Sequence, residues 1–428
     1  MIVEPILAEL KRRQADREPI RVGVIGTGFF GAGAIRQLTR VAGVDPAIVA
    51  SRTVERAVGA LVAAGIDPAR ISSCDDADAA NAALAAGRHV ATSQIDLPCR
   101  VAAIDVVMEA TGDVGAGASV ALTAFENRKH LVAANLELQA TLGPILRCLA
   151  DEAGVVYSDV DGDQPGVIMG LFSYCRGLGL EPVVAGNCKG FLNRSATPAS
   201  QKAFARENGI APWIACAAAD GTKVNLEMAA VANATGMLPA RTGMTGVETS
   251  LETVVADFER RCLLNRGAIV EYTFGIPSGV FVIARTDDPC LQKEFRYLKL
   301  GPGPNFLFHE SRVVCHFDAP ISVARATLYR SPAITPLGRR FVEVAAYAKR
   351  DLVAGQRLDG IGGFDCYGQV MRADESEAAG VLPIGLAGGC VAKRSLAKDE
   401  PISWADVEPA AGSLPLSLWR RQQAVAAR

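Results

Sequence analysis

The sequence predicts a fold of the α/β class, with a parallel sheet at the start of the chain and two further domains after it. Strands alternate with helices from "IRVGVIGTG" at residue 20 to "VVYSDV" at residue 155, a pattern typical of right-handed βαβ units. The alternation weakens after residue 160, and short strands with glycine turns follow residue 340. We therefore predict domains at residues 1–160, 161–338 and 339–428.

The middle of the chain predicts an α+β domain for catalysis and dimerisation. "PGVIMGLFSYCRGLG" and "KVNLEMAAVANATG" are typical of helices, and "LEPVVAGNCKG" is typical of a strand. "GAIVEYTFG" and "SGVFVIART" predict neighbouring antiparallel strands, and "FLFHESRVVCHF" predicts a further strand pair. In the last, β-rich domain, "KRDLVAGQRL" and "KRSLAKDEPI" predict an internal two-fold repeat.

The composition is that of a globular protein and excludes several function classes. The chain has 428 residues, 50% hydrophobic and 21% charged, and its net charge of −2 gives no field for nucleic acid or anionic membrane. The eleven cysteines form no CxxC pair, which favours reduced thiols in a cytoplasmic protein. The opening "MIVEPILAELKRRQADREPI" predicts an amphipathic helix and no signal peptide. We expect a small-molecule substrate and a homodimer or larger homo-oligomer.

The first glycine turn predicts a dinucleotide site of the Rossmann type. Gly26, Gly28 and Gly31 form GxGxxG between a strand and a helix. Glycine lets the backbone approach a pyrophosphate at the N-terminus of the helix. A tight turn without a ligand is the alternative, and the βαβ pattern that follows favours the ligand. The expected contacts are Gly26, Thr27, Gly28, Phe29, Phe30 and Gly31.

Three further strand ends predict cofactor contacts. The second strand ends in Ser51 and Arg52, where an NAD site would carry an acidic residue, so we favour NADP(H). The alternative for Arg52 is a solvated residue at the start of a helix. The strand ends "EATG" and "AAN" should line the nicotinamide side of the crevice. Their expected contacts are Ala110, Thr111, Gly112 and Asn135.

An acidic loop, "SDVDGDQPG", follows the last strand of the first domain. Its carboxylates, Asp159, Asp161 and Asp163, come at a strand end where α/β sheets place their sites. An acidic solvated turn is the equal alternative. We predict a catalytic role for Asp163, and Asp161 with Asp163 leaves open a Mg²⁺ or Mn²⁺ site.

The middle domain offers a second group of polar candidates. Lys189 ends a strand and could exchange a proton with a carbonyl oxygen, whereas the alternative is a surface lysine. Glu227 lies on an apolar helix, either as a catalytic carboxylate or in a structural pair with Lys223. The predicted substrate-binding residues are Asn193, Arg194 and Asn233.

Several of these stretches resemble known oxidoreductases. "VGVIGTGFFG", "VVMEATG" and "KHLVAANLELQATLGPILRCLADEAGV" resemble the cofactor domain of homoserine dehydrogenases, in which a catalytic lysine follows the asparagine of the "AN" step. This chain has Leu136 there, which speaks against homoserine as the substrate. "GDQPG", "EMAAVANATGM", "SGVFVIA", "LGPGPNFLFH" and "APISVARATL" resemble the 1-deoxy-D-xylulose 5-phosphate reductoisomerase-like group, and residues 339–428 resemble a SAF (antifreeze-like) domain.

The residues and the resemblance together predict an NADP(H)-dependent oxidoreductase for a small polar, sugar-derived carbonyl or hydroxy compound, with or without a phosphate. Substrate is expected between the first two domains, with Asp163 orienting Lys189. One alternative is a metal-dependent reductoisomerase, although the resemblance implies an acidic pair where this chain has Asp163 and Gln164. A second alternative is a non-catalytic NADP-sensing or scaffold protein.

Overall fold

The structure, a computed structural model, describes residues 3–426 as two compact units. Met1 and Ile2 of the predicted N-terminal helix, and Ala427 and Arg428 of the predicted last domain, lie outside the described residues. The segment 314–338, assigned by sequence to the middle domain, belongs to the first unit. The first unit comprises the chain up to Asp163, Val314–Gly338 and Ser417–Val425, and the second comprises Gln164–Val313 and Arg339–Leu416.

A seven-stranded parallel sheet forms the core of the first unit. The strand order is β3-β4-β2-β1-β5-β6-β7, and helices connect the parallel strands, so the predicted α/β class and Rossmann-type sheet are confirmed. In chain order the elements are α1 (Glu4–Ala15), β1 (Ile20–Ile25), α2 (Phe29–Leu38), β2 (Val44–Ala50), α3 (Val54–Ala63), β3 (Ile71–Ser73), α4 (Ala77–Ala85), β4 (His89–Thr92), α5 (Leu97–Arg100), β5 (Val106–Glu109), α6 (Val114–Glu126), β6 (His130–Ala133), α7 (Leu136–Ala153) and β7 (Tyr157–Asp159).

The central strands of this sheet end in one row. Ile25 pairs with Ala50 on one side and with Glu109 on the other, and Glu109 in turn pairs with Ala133. Because parallel strands in register end at the same edge, the loops that follow these residues emerge side by side. This edge is where ligands bind in open α/β sheets.

The second unit begins with a mixed sheet. Its strand order is β10-β11-β8-β12-β13, with β9 paired to β11. Its elements are α8 (Gln164–Gly177), β8 (Glu181–Cys188), α9 (Lys202–Glu207), α10 (Pro212–Ala219), α11 (Thr222–Thr235), β9 (Leu238–Pro239), β10 (Val247–Glu248), α12 (Val254–Arg260), β11 (Ile269–Phe274), β12 (Val280–Arg285), α13 (Pro289–Tyr297) and β13 (Asn305–Glu310).

Two strand predictions in this region are wrong. β11 and β12 are not neighbours, because β8 lies between them, parallel to β11 and antiparallel to β12. All residues of β8 after Glu181 are buried, and a strand buried on both faces takes a central place. The predicted strand pair at 306–317 is a single strand, β13. The chain then turns at Cys315, whose φ is 47°, into the 3₁₀ turn His316–Asp318.

After that turn, helix α14 (Ala319–Leu328) packs in the first unit. Gly162 and Cys315 form an antiparallel bridge, and the Asp161 N–H donates to Ser322 Oγ at 2.9 Å. Val323 and Ala324 of α14 belong to the same buried cluster as the strands of the parallel sheet. Apolar burial of this kind stabilises by about 25 cal/mol per Å².

The C-terminal elements confirm the predicted internal repeat. Leu352 and Leu396, which the two repeat sequences align, exchange backbone hydrogen bonds of 2.9 and 3.0 Å. The lysines that begin the two repeat sequences make equivalent backbone hydrogen bonds. The Lys349 N–H donates to Asp365 O at 2.7 Å, and the Lys393 N–H donates to Asp406 O at 2.8 Å. The elements are β14 (Val342–Ala348), β15 (Cys366–Arg372), α15 (Ala373–Ala379), α16 (Ile384–Ala387), β16 (Val391–Ala392), β17 (Val407–Glu408) and α17 (Leu414–Ala426).

A buried ion pair ties this repeat to the start of α11. Lys349 Nζ lies 2.7 Å from Asp220 Oδ2 and donates to Gly363 O at 2.6 Å, and both side chains of the pair are at most 2% exposed. Thr222 Oγ1 accepts from the Gly368 N–H at 2.9 Å. The repeat and α11 are therefore one packed body within the second unit.

No helix within residues 3–426 is long and apolar enough to cross a membrane. The eleven cysteines all lie within residues 3–426 and are free thiols there.

Candidate functional site

The glycine turn of the first unit has the contour of a dinucleotide site. A Cβ on Gly26 would lie 2.5 Å from Ala110 O, and a Cβ on Gly31 would lie 2.0 Å from Gly26 O, so both glycines are required by close backbone packing. A Cβ on Gly28 would meet no atom within 4 Å. Gly28 precedes α2 without a side-chain cap, which leaves the first N–H groups of the helix for a ligand.

The end of β2 presents hydroxyls and a guanidinium. Thr27 Oγ1 and Ser51 Oγ are 2.7 Å apart, which joins the glycine turn to this strand end. Arg52 is exposed, and within residues 3–426 no ion pair involves it. Thr53 caps α3 by accepting from the Arg56 N–H at 3.4 Å. Arg52 is therefore not the cap of that helix, and its guanidinium is left for a ligand.

Glu109 holds the next turn in place, a role that the sequence analysis did not assign. Its carboxylate accepts from the Thr111 N–H at 2.7 Å, from the Thr111 hydroxyl and from Asn135 Nδ2 at 2.9 Å. Burial raises the pKa of Glu109 to about 6, although these hydrogen bonds lower it. The acidic residue at the end of "VVME" was the available signal.

The predicted contacts of this turn differ in their placement. Ala110 and Thr111 form the turn, and Gly112 has a φ of 67°, which favours glycine. Asn135 is fully buried, and its Oδ1 accepts from the Leu138 N–H at 3.0 Å as the cap of α7. Its side chain therefore positions two loops from inside the protein, and a direct cofactor contact stays a prediction.

The two phenylalanines of the glycine motif pack differently around His316. Phe29 is 51% exposed, whereas Phe30 is partly buried. The His316 ring lies edge-to-face with both, at centroid distances of 5.4 and 6.0 Å, and stacks on Phe317 at 4.5 Å. A Cβ on Gly33 would come within 2.3 Å of this ring, so α2 packs closely against His316 at this glycine.

The acidic loop does not fit a metal ion. Asp161 forms a buried ion pair with Arg325, and Asp159 accepts from the Val160 N–H at 2.7 Å. Asp163 is half-buried and accepts from Cys315 Sγ at 3.9 Å. Among residues 3–426 no group of three or more His, Cys, Asp or Glu side chains could hold a metal. The guanidinium of Arg325 therefore occupies one of the two carboxylates of the predicted Mg²⁺ or Mn²⁺ site. A metal ion at Asp161 and Asp163 stays a prediction that this geometry does not support.

In the second unit, Glu227 sits in a buried polar cluster. Asn187 Nδ2 donates to Glu227 Oε2 at 2.5 Å, and Lys223 Nζ lies 4.0 Å from Glu227 Oε1. Glu227 and Asn187 are both 1% exposed. The structural pair with Lys223 is thus present, and the catalytic role of Glu227 stays a prediction.

Lys189 directly follows β8, the strand that carries Asn187. Its N–H donates to Thr273 O at 2.7 Å, which extends the pairing of β8 with β11 by one residue. Side chains alternate along a strand, so Lys189 is on the same face as Asn187, the face of Glu227. The helix α11 follows α9 and α10 in the chain and precedes β9, which pairs parallel to β11.

Arg194 is exposed among three tyrosines. Its Cζ lies 5.8 Å from the ring centroid of Tyr367, which stacks on Tyr347 at 5.6 Å. Burial raises the pKa of Tyr272, of Tyr347 and of Tyr367, and the charge of Arg194 opposes that rise at all three. The C-terminal repeat therefore supplies aromatic side chains to this polar face, which the sequence analysis missed because no local pattern links residues 150 positions apart.

The side chains of the other two predicted substrate-binding residues accept hydrogen bonds from backbone N–H groups. Asn193 is exposed, and its Oδ1 accepts from the Ser195 N–H at 3.0 Å. Asn233 is fully buried, and its Oδ1 accepts from the Phe341 N–H at 2.8 Å at the start of β14. A substrate contact by the buried Asn233 side chain stays a prediction.

The middle of the chain matches a known catalytic domain. Residues 162–319 match the family model described as oxidoreductase DRL, catalytic domain. Over these residues the chain is similar to the catalytic domain of an oxidoreductase. The predicted likenesses of the first domain to homoserine dehydrogenases and of residues 339–428 to a SAF domain stay predictions.

Solved structures of sugar-related oxidoreductases are similar to the chain at low identity and low TM-score. The UDP-N-acetylglucosamine 3-dehydrogenase GnnA from Acidithiobacillus ferrooxidans is 14% identical over 75% of this chain and 93% of its own, with a TM-score of 0.40. The 3-ketoreductase KijD10 from Actinomadura kijaniata, in complex with TDP-benzene and NADP, is 14% identical over 73% and 91%, with a TM-score of 0.37. At these TM-scores the likenesses carry no argument about function. No curated protein matches the chain.

Proposed function

We propose that the chain is an NADP(H)-dependent oxidoreductase that interconverts a carbonyl and a hydroxyl group on a small polar, sugar-derived compound. The observation that carries the proposal is the glycine turn, where Gly28 leaves the position of a side chain empty while Gly26 and Gly31 are closely packed. That contour is the one a pyrophosphate needs. The match of residues 162–319 to an oxidoreductase catalytic domain supports chemistry in the second unit.

The preference for NADP(H) rests on the end of β2. The hydroxyls of Thr27 and Ser51 and the unpaired guanidinium of Arg52 are donors for a 2′-phosphate. No acidic side chain stands at Ser51 or Arg52 to accept from a ribose hydroxyl. We therefore expect NADPH to bind more tightly than NADH.

Lys189 is the proposed proton carrier. The cofactor, when bound, supplies hydride to the carbonyl carbon or accepts it from the alcohol. During reduction Lys189 Nζ donates a proton to the carbonyl oxygen and is then recharged from water, and during oxidation it accepts the proton. Asn187, two residues before Lys189, donates to the buried Glu227 at 2.5 Å. The predicted role of Asp163 and the homo-oligomer stay part of the proposal.

Calorimetric titration tests the cofactor. Wild-type protein should bind NADPH roughly tenfold or more tightly than NADH. Arg52→Ala should remove most of that difference, because it removes the charge opposite the 2′-phosphate. Arg56→Ala is the matched control, an exposed arginine four residues away on α3. Equal binding of both nucleotides by the wild type, or equal effects of the two substitutions, would contradict the NADP preference.

Turnover tests the lysine. A thermal-shift screen of sugars and sugar acids with NADPH present selects substrates, since a ligand that binds the native state raises its apparent stability. Lys189→Met should lower kcat by about 10²- to 10⁴-fold on such a substrate, the range that general acid catalysis supplies. Lys202→Met, at the exposed start of α9, should change kcat little. Wild-type turnover by Lys189→Met would remove Lys189 from the mechanism.

The two alternatives predicted from the sequence have less support. A reductoisomerase of the metal-dependent type needs a carboxylate set, and Arg325 occupies Asp161. A purely cofactor-sensing protein has no use for a catalytic domain, and residues 162–319 match one.

A further inference from the structure

The second unit contains a cavity of about 200 Å³ lined by three arginines. They are Arg241, Arg261 and Arg266, and the rest of the lining is Ala240, Thr245 and Leu263. All three arginines are exposed, and within residues 3–426 no ion pair involves any of them. Three like charges around one small cavity repel each other unless an anion lies between them.

The nearest buried carboxylate does not neutralise these arginines. Glu271 is fully buried and accepts from the N–H groups of Thr245 and Tyr272, at 2.8 and 2.9 Å. It thereby holds the loop that carries Arg241 and Thr245. The Arg241 Nε donates to Met244 O at 2.9 Å, which aims the rest of the guanidinium away from the loop.

Helix electrostatics explains only part of the cluster. Arg261 follows α12, and cations are favoured at the C-terminus of a helix. Arg241 and Arg266 come from other segments, so the helix does not account for them. Each of the two loops also holds a non-glycine residue in the left-handed region, Met244 with φ of 63° and Cys262 with φ of 57°. Such strain is concentrated at functional sites.

We propose that this arginine cavity binds a phosphoryl group. Guanidinium donors arranged around a small cavity fit a tetrahedral oxyanion, and Thr245 adds a hydroxyl. The volume exceeds the roughly 30 Å³ of one water, so a phosphoryl group fits with part of its hydration. The phosphoryl group belongs either to a phosphorylated substrate or to a separate phosphate ligand.

The position of Arg241 favours the first source. A Cβ on Gly246 would lie 2.7 Å from Tyr272 Oη, so the loop that carries Arg241 and Thr245 packs against that phenol. Tyr272 pairs in register with Asn187, which contacts Glu227. A phosphorylated substrate bound near this strand pair is therefore the source that we favour. This choice of source rests on the proposed function, whereas the binding of phosphate does not.

Calorimetry with inorganic phosphate and pyrophosphate, at constant ionic strength in chloride, tests the site. We expect one site per chain in the wild type. Arg241→Ala, Arg261→Ala and Arg266→Ala should each weaken binding roughly tenfold or more. Arg260→Ala is the matched control, because Arg260 is adjacent in sequence but pairs with Asp257 at 2.8 Å and does not line the cavity. It should leave the affinity within about twofold.

Several results would overturn the inference. They are absence of binding to the wild type, an equal effect of Arg260→Ala, and an arginine variant that changes the oligomeric state in sedimentation but keeps its phosphate affinity. The last result would make the cavity a contact between chains.

Titration with NADPH separates this inference from the proposed function. Each arginine variant should bind NADPH as the wild type does. Kinetics then distinguishes the sources, since a substrate phosphate predicts a higher KM only for phosphorylated substrates in Arg261→Ala. An unchanged KM together with lost phosphate binding assigns the site to a separate phosphate ligand.

Discussion

Replacing Gly28 with alanine should separate cofactor binding from folding. Gly28 has φ of −71° and ψ of −167°, an extended conformation that alanine adopts without strain. A Cβ there meets no protein atom within 4 Å, so the free energy of unfolding should change by less than about 0.5 kcal/mol. The same methyl group would stand where a pyrophosphate approaches the amides of the turn.

The expected loss of affinity follows from those amides. A hydrogen bond to a charged group contributes about 1.5–3 kcal/mol, so losing one should weaken NADPH binding by about 10- to 150-fold. Gly31→Ala is the opposite case, because its Cβ would lie 2.0 Å from Gly26 O and the backbone must shift. That variant should lose roughly 1–3 kcal/mol of stability as well as affinity.

Melting of the free protein and calorimetry with NADPH check both variants. Gly59→Ala is the control, since Gly59 lies in the exposed middle of α3 with no atom within 4 Å, and alanine should stabilise it by about 0.5–1 kcal/mol. If Gly28→Ala binds NADPH within about twofold of the wild type, the turn does not hold the pyrophosphate. If Gly28→Ala has as low a melting temperature as Gly31→Ala, a Cβ at position 28 clashes with other atoms of the protein.

Two further predictions concern buried charges. Lys349→Met should lower stability by about 3–5 kcal/mol by urea denaturation, because it leaves Asp220 buried without its cation, and adding Asp220→Asn should recover most of that loss. Arg350→Met, which breaks a pair whose arginine is 57% exposed, should cost less than about 1 kcal/mol, and an equal cost would refute the argument. Burial raises the pKa of Glu109 from 4.5 to about 6. The contribution of this group to the free energy of unfolding, about 2 kcal/mol, is therefore fully present below about pH 4.5 and is lost as the pH rises through 6. The stability of Glu109→Gln relative to the wild type should therefore rise between pH 4.5 and 8. Parallel pH profiles of stability for the two proteins would contradict this.

The sequence was sufficient for features that depend on neighbouring residues. The glycine motif, its strand and its helix follow from local spacing, and the turn at Gly26 has the φ of 100° that glycine permits. The internal repeat was also visible, because Lys349 and Lys393 begin similar sequences. Both features lie within short stretches of chain, so the residues that determine the local structure also form a recognisable sequence pattern.

Features that depend on partners far along the chain were not predictable. Nothing near Asp161 in the sequence indicates that Arg325 occupies it, and nothing near Asn233 indicates that it holds the start of β14. The order of β8, β11 and β12 was missed for a related reason. A buried strand has no periodicity that identifies its neighbours, so only the packing of the whole sheet decides the order.

The internal repeat itself shows which tyrosines the fold does not require. Tyr347 faces Tyr367 across β14 and β15, and at the equivalent position of β16 and β17 Val391 faces Glu408. Both halves keep equivalent backbone hydrogen bonds, so the backbone of the repeat does not depend on a tyrosine pair at this position. Only the tyrosine pair lies beside Arg194. The difference between the halves therefore reflects what they contact, and it supports a ligand-facing role for the aromatic half in the second unit.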